Sequence, residues 1–134
     1  MRQGLEEKLR AAGIRPSAHR MAVADYVLST DEHPSAEQVM ARVSERLPML
    51  SRATVYNTLN LFVEKGLLRQ LVLSEGSVVF DPNLDRHHHF VDEATGRIED
   101  VPWDAVQVGD VSRLEGIRVR EYMVVMRGTR VPKV

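Results

Sequence analysis

Near Gly66 the spacing of apolar residues changes from helical to strand-like. A chain with that change must place a block of helices ahead of a block of sheet. Four helical segments are predicted before it, each with its own start or stop signal. The first covers residues 3–12 and closes at Gly13. Arg15-Pro16-Ser17 restarts the chain, with proline in the first turn, and Met21, Ala24, Val27 and Leu28 share one face. After the turn Asp31-Glu32-His33-Pro34, Ser35 and Gln38 form a capping box. That helix directs Val39, Met40, Val43 and Leu47 inward until Pro48 breaks it. Ser51 caps the fourth, whose apolar stripe is Val55, Leu59, Phe62 and Val63. Beyond Gly66, Leu67–Leu73 and Val78–Phe80 are strand-like and joined by the turn Ser74–Ser77.

Helices leading into a two-stranded hairpin predict a winged helix, an arrangement suited to DNA. On the solvent side of the fourth helix, Ala53, Tyr56, Asn57 and Asn60 fall at spacings of 0, 3, 4 and 7. Such a face can approach a major groove closely, with asparagine reading adenine and the tyrosine ring meeting a thymine methyl. The plain alternative is that these are solvated positions, since every surface helix has a polar side.

At 134 residues the chain can bury one ordinary core or two small ones. Its 43% hydrophobic and 28% charged residues are those of a globular protein. No apolar run approaches the ~20 residues of a membrane span, and Glu6 and Glu7 precede any apolar run, so neither membrane nor signal peptide is expected. A cytoplasmic location follows as the default. The absence of cysteine excludes disulfides, thiolate zinc and thiol catalysis, so any metal must be held by nitrogen and oxygen. Residues 1–72 carry 10 basic against 8 acidic side chains, and residues 73–134 carry 8 against 11. That mild asymmetry suits a first half that meets a polyanion and a second half that binds a cation.

Three of the five histidines are consecutive, His87-His88-His89. On a strand, alternate side chains share a face, so His87 and His89 point together and His88 opposes them. Thr95-Gly96 suits a tight turn, after which Arg97–Val101 returns and carries Asp100 back toward the histidines. Asp81 ends the wing strand before Pro82-Asn83, and His33 sits in an interhelical loop. Taken singly, His33 and Asp81 read as turn or cap residues beside prolines, and the histidines as a solvated edge.

Ser51-Arg52-Ala53-Thr54-Val55-Tyr56-Asn57-Thr58-Leu59 and Glu64-Lys65-Gly66-Leu67-Leu68 resemble the recognition-helix signature of the ferric uptake regulator family. Ala12–Ser17 with Arg20 resembles its entry segment, and the likeness runs to about Gly128. The resemblance implies an α+β fold: a winged-helix DNA-binding domain over residues 1–81, a hinge at 82–86, and a shortened α/β dimerisation and metal-sensing domain over 87–134. It implies a dimeric transcription regulator binding operator DNA, with Arg15, Ser51, Arg52, Thr54, Tyr56 and Asn57 as DNA contacts. Arg15 is expected at backbone or minor groove, Arg52 and Thr54 at phosphates, and Tyr56 and Asn57 at bases. In peroxide-sensing relatives the regulatory ion is held by residues matching His33, Asp81, His87, His89 and Asp100. Three imidazoles and two carboxylates suit Fe(II), Mn(II) or Zn(II), and the two Asp charges offset a divalent ion.

The departures narrow the expectation. No Cys-x-x-Cys pair is present for structural zinc, and the family's other regulatory site matches Arg86, His88, Gln107 and Tyr122 here. One divalent ion per subunit is therefore expected, Fe(II) or Mn(II) in function, with Zn(II) an alternative in purified protein. The segment Val101–Gly116 is short, so its helix should be abbreviated. Dimer contacts are expected from strands near 117–127, through Ile117, Val119, Val124 and Met126. The signal expected is peroxide or iron status sensed without haem. The alternatives are a haem-responsive iron regulator using the His-His-His run and, in a different class, a small metalloenzyme; the chain is expected not to be an enzyme.

Overall fold

The computed structural model describes residues 2–74 and 76–132. Glu75, inside the expected hairpin turn, and positions 133–134 of the expected second domain lie outside the described residues. The chain forms two compact units, Met1–Leu84 and Asp85–Val134.

The first unit contains α1 (Arg2–Ala11), α2 (Ala18–Val27), α3 (Ala36–Ser44), α4 (Arg52–Glu64) and the antiparallel hairpin β1 (Arg69–Ser74) with β2 (Ser77–Asp81). Local chemistry sets its boundaries. Ser17, Ser35 and Ser51 cap α2, α3 and α4, each accepting from the amide three residues on. At Ser35 the Gln38 side chain returns the bond to the cap amide, completing the box. Pro16 precedes the cap Ser17, so it delivers the chain to α2 rather than entering its first turn. Two helices end alike. Gly13 (φ 80°) and Gly66 (φ 78°) take the left-handed conformation, and the next residue bonds five back, Ile14 N–H to Leu9 O and Leu67 N–H to Phe62 O, both 2.9 Å.

The apolar stripes converge on one core. Leu9, Ile14, Val23, Val27, Val39, Val43, Val55, Leu59, Phe62, Leu68 and Phe80 are all buried in it. Met21, Met40 and Val63 pack around its edge, partly buried. This core fixes the back of α4 and so leaves Ala53, Tyr56, Asn57 and Asn60 all exposed.

The second unit is a three-stranded sheet in the order β4 (Ile98–Pro102), β3 (His87–Asp92), β5 (Val125–Gly128). β3 pairs antiparallel with β4 and parallel with β5. The β3–β4 turn closes at Gly96 (φ 77°), whose amide donates to Asp92 O at 2.7 Å. Between β4 and β5 the helical content is two single 3-10 turns, Trp103–Ala105 and Val111–Arg113. Pro102, Gly109 and Gly116 leave no uninterrupted run for a longer helix.

Within the single chain the expected strands near 117–127 are seen only in part. Only Val125–Gly128 is a strand, and it pairs with β3 of its own chain. Residues 117–124 belong to no described strand, and Ile117 is 60% exposed. Four charged side chains (Arg118, Arg120, Glu121 and nearby Glu115) lie in or beside this segment, and Arg120 pairs with Glu121 at 3.2 Å.

Candidate metal centre and nucleic-acid interface

The first unit brings together His33 and Asp81, two of the five expected ligands. The Phe80 amide donates to Pro34 O at 2.9 Å, tying the end of β2 to the α2–α3 loop. His33 Nε2 then lies 3.2 Å from Asp81 Oδ2, with both side chains buried. His33 also holds φ 52°, a left-handed conformation that costs a non-glycine residue about 1–2 kcal/mol. Such strain persists only where the surroundings demand it, and here it turns the imidazole inward.

The second unit gathers His87, His89 and Asp100. Register explains this directly. His89 is the cross-strand partner of Asp100, and His87 sits two residues along on the same face. His87 Nε2 and His89 Nε2 approach the same oxygen, Asp100 Oδ1, at 3.2 and 3.6 Å. Both histidines are buried, whereas the Asp100 side chain is 32% accessible. The ligand atoms of these three lie within 4.8 Å of one another.

Which imidazole nitrogen faces the carboxylate decides what the groups can do. His33 Nδ1 lies 2.9 Å from Asp31 O, and His87 Nδ1 lies 2.5 Å from Asp85 O. A carbonyl only accepts, so in each ring Nδ1 carries the hydrogen and a neutral imidazole presents its Nε2 lone pair. A lone pair aimed at a carboxylate oxygen is repulsive unless a proton or a cation lies between them. At Asp100 the Nε2 atoms of His87 and His89 converge on one oxygen. A divalent cation would satisfy them together, with the carbonyl bonds to His33 and His87 as the outer contacts that fix metal-binding histidines.

His88 points the other way. Its Nδ1 accepts from the Val124 amide at 3.0 Å, and its ring stacks on Trp103 at 4.4 Å between centroids. The Arg86 guanidinium lies 3.9 Å over the same indole, and Tyr122 closes the cluster 5.1 Å from Trp103. Of the four positions matching the family's other regulatory site, Arg86, His88 and Tyr122 are thus joined in a cation–π and aromatic cluster.

The six expected DNA contacts all fall in the first unit. Arg15 is exposed in the α1–α2 loop, and its carbonyl accepts from Arg20 Nη1 at 3.1 Å. Ser51 is committed to the helix, accepting from the Thr54 amide at 3.1 Å and meeting Thr54 Oγ1 at 2.8 Å. Thr54 and Asn57 line a groove of about 280 Å³ with His19, Arg20, Thr58 and Leu61. Arg52 and Tyr56 both bond Glu37 of α3, the phenol at 2.8 Å. Glu37 and His19 did not stand out in the sequence. Glu37 reads there as a helix N-terminal acid, and only the packing of α3 on α4 brings it to Tyr56.

The profile described as Ferric uptake regulator family matches residues 11–127. The peroxide-responsive repressor PerR of Staphylococcus aureus (strain Mu50 / ATCC 700699) is 35% identical over 106 residues, 79% of this chain and 70% of its own. The solved ferric uptake regulator from Francisella tularensis with iron shares the fold at 19% identity, TM-score 0.73, over 88% of this chain and 92% of that one. The Campylobacter jejuni peroxide stress regulator does so at 23% identity, TM-score 0.62, over 98% and 97%.

Proposed function

Because this chain belongs to the ferric uptake regulator family, whose members are metal-responsive transcriptional regulators, we propose that it is a homodimeric repressor controlled by one divalent ion per subunit. His33, Asp81, His87, His89 and Asp100 hold the ion. The observation that carries this reading is the aim of the imidazoles, with Nδ1 of His33 and His87 spent on carbonyls and Nε2 turned to carboxylates. Ligands from both units would make ion binding favour one relative orientation of the units, by its differential affinity for that orientation. A 100-fold preference is worth about 2.7 kcal/mol, enough to move a balanced population almost fully.

Operator recognition is assigned to α4, with Tyr56 and Asn57 toward bases, Arg52 and Thr54 toward phosphates, and Arg15 at the flank. Ser51 contributes by capping α4, which leaves its oxygen less free for DNA than the sequence suggested. Two subunits place two such helices on a pseudo-palindromic site. Fe(II) or Mn(II) is the working ion, Zn(II) an alternative on purification, and the setting is the cytoplasm. Among the described residues no helix is long and apolar enough to cross a membrane.

Peroxide is the favoured signal, since the relative named above is a peroxide-responsive repressor. Ferrous iron held by His33, Asp81, His87, His89 and Asp100 would supply the one-electron chemistry that activates peroxide. This chain's part is to hold imidazole carbons within reach, so that net a ring C–H and H2O2 give C–OH and water, with both electrons drawn from the imidazole. The haem-responsive reading loses ground at His88, which would have to leave Trp103 and the Val124 amide to act as an axial ligand. Membership in a family of regulators likewise favours regulation over enzymatic turnover.

The test is anisotropy titration of a duplex selected by the protein from a random pool. Iron-loaded protein should bind it under anaerobic conditions, release it after brief H2O2, and carry one added oxygen on a peptide containing His33 or His87–His89. Fragmentation must place that oxygen on histidine, because the six methionines also oxidise. Release without histidine oxidation would remove the peroxide reading, and DNA binding indifferent to metal would remove metal control.

A further inference from the structure

Arg52 and Tyr56 lie one turn apart on the exposed face of α4, and both donate to a single oxygen, Oε1 of Glu37 in the first turn of α3. All three side chains reach solvent, so burial does not force the arrangement. We infer that Glu37 is a specificity-determining residue, which withholds the Arg52 cation from nonspecific DNA and fixes the Tyr56 ring for base contact. This rests on the DNA-binding role of α4 proposed above.

The physical case starts from how random DNA is bound. Nonspecific affinity comes almost entirely from cations that displace counterions at phosphates. A guanidinium paired with a carboxylate on its own surface keeps its charge, but the pair as a whole is neutral and draws phosphate less. A phosphate that takes Arg52 either displaces Glu37 or binds the remaining N–H donors beside its carboxylate, and both cost affinity. An exposed ion pair is weak, at about 0–1 kcal/mol, so a well-fitting operator can break it where a loose encounter does not. Tyr56 adds a second constraint. Its phenol is held above the ordinary value, chiefly by the Glu37 hydrogen bond. The bond selects one orientation of a ring that is 38% exposed. Nearby, Glu37 and Tyr56 line a groove of about 530 Å³ with Asn60, Gln70 and Ser77, at the junction of α4 and the hairpin.

The test is a double-mutant cycle on the full chain loaded with Mn(II), using Glu37→Gln, Arg52→Gln and the pair. Binding is followed against salt with two probes: poly(dI-dC) duplex and a duplex selected by wild-type protein from a random pool. Glu37→Gln should steepen the salt dependence on poly(dI-dC) by about 0.9 in log–log slope, the value for one added phosphate contact. On the selected duplex, where Arg52 is already engaged, the slope should stay as in wild type, so discrimination falls. In the Arg52→Gln background, Glu37→Gln should add nothing to the slope. An equal increment in both backgrounds would mean a general charge effect and overturn the inference, as would an unchanged slope in Glu37→Gln. Glu37→Asp guards against a folding defect in Glu37→Gln. It keeps the charge but shortens the reach, and it should behave like Glu37→Gln; wild-type behaviour there overturns the inference. A wild-type chain that binds neither duplex removes the DNA-binding reading itself, a distinguishable result.

Discussion

His88 has a ligand candidate on either side, yet its own contacts are structural. Replacing it with alanine leaves the Val124 amide without its acceptor, which should cost about 1–3 kcal/mol in urea unfolding. Mn(II) affinity of the folded variant should stay near wild type, whereas His89→Ala should lower it sharply; equal losses would mean that the two faces of β3 are wrongly assigned. The strand alternation that separates them was legible in the sequence, because it needs only the pleat. The carbonyls of Asp31 and Asp85 were not, since the partner of an Nδ1 depends on loop backbone that no pattern encodes. Trp103 under Arg86 was hidden for a similar reason: a chain reversal at Gly96 is needed to bring position 103 back to position 88. Tyr56 offers a check by pH. Its raised pKa means that the neutral phenol's bond to Glu37 is present at neutral pH and lost as pH rises through that value. Glu37→Gln should therefore bring the Tyr56 titration down, read by nuclear magnetic resonance of labelled tyrosine; an unmoved titration would show that Glu37 does not hold the phenol.

Among the elements, α4 makes the sharpest demands on its ends. Ser51→Ala removes the cap and should destabilise by about 1 kcal/mol, with Ser51→Asn restoring most of it. If Ser51 were chiefly a phosphate contact, stability would hold and DNA affinity alone would fall. At the other end, Gly66→Ala puts a side chain at φ 78° and should cost about 1–2 kcal/mol, although open space surrounds that position. Phe62→Ala, at the centre of the helical core, should cost about 3–5 kcal/mol in the same unfolding assay. Caps, stops and apolar stripes made the four helices readable because each signal is local, although α3 ends at Ser44 and leaves Leu47, expected inside it, beyond the helix. The hairpin and the β3–β4 pair were readable for the same reason. Residues 117–124 form no strand within the single chain, because apolar alternation marks a potential strand while pairing requires an edge within reach. Within the chain both edges of β3 are taken, one by Ile98–Pro102 and one by Val125–Gly128.

At the scale of the whole molecule, the exposed Ile117 and Val119 remain the natural place to weaken the proposed homodimer. Ile117→Arg should shift sedimentation toward the monomer at micromolar concentration, and an unchanged dimer would place the interface elsewhere. The central claim is that one ion takes ligands from both units, and calorimetric titration with Mn(II) tests it most directly. The account predicts one ion per chain, with His33→Ala in the first unit and His89→Ala in the second each reducing affinity sharply. One ion per chain bound at undiminished affinity by His33→Ala, or two ions per chain lost separately in the two variants, would contradict it.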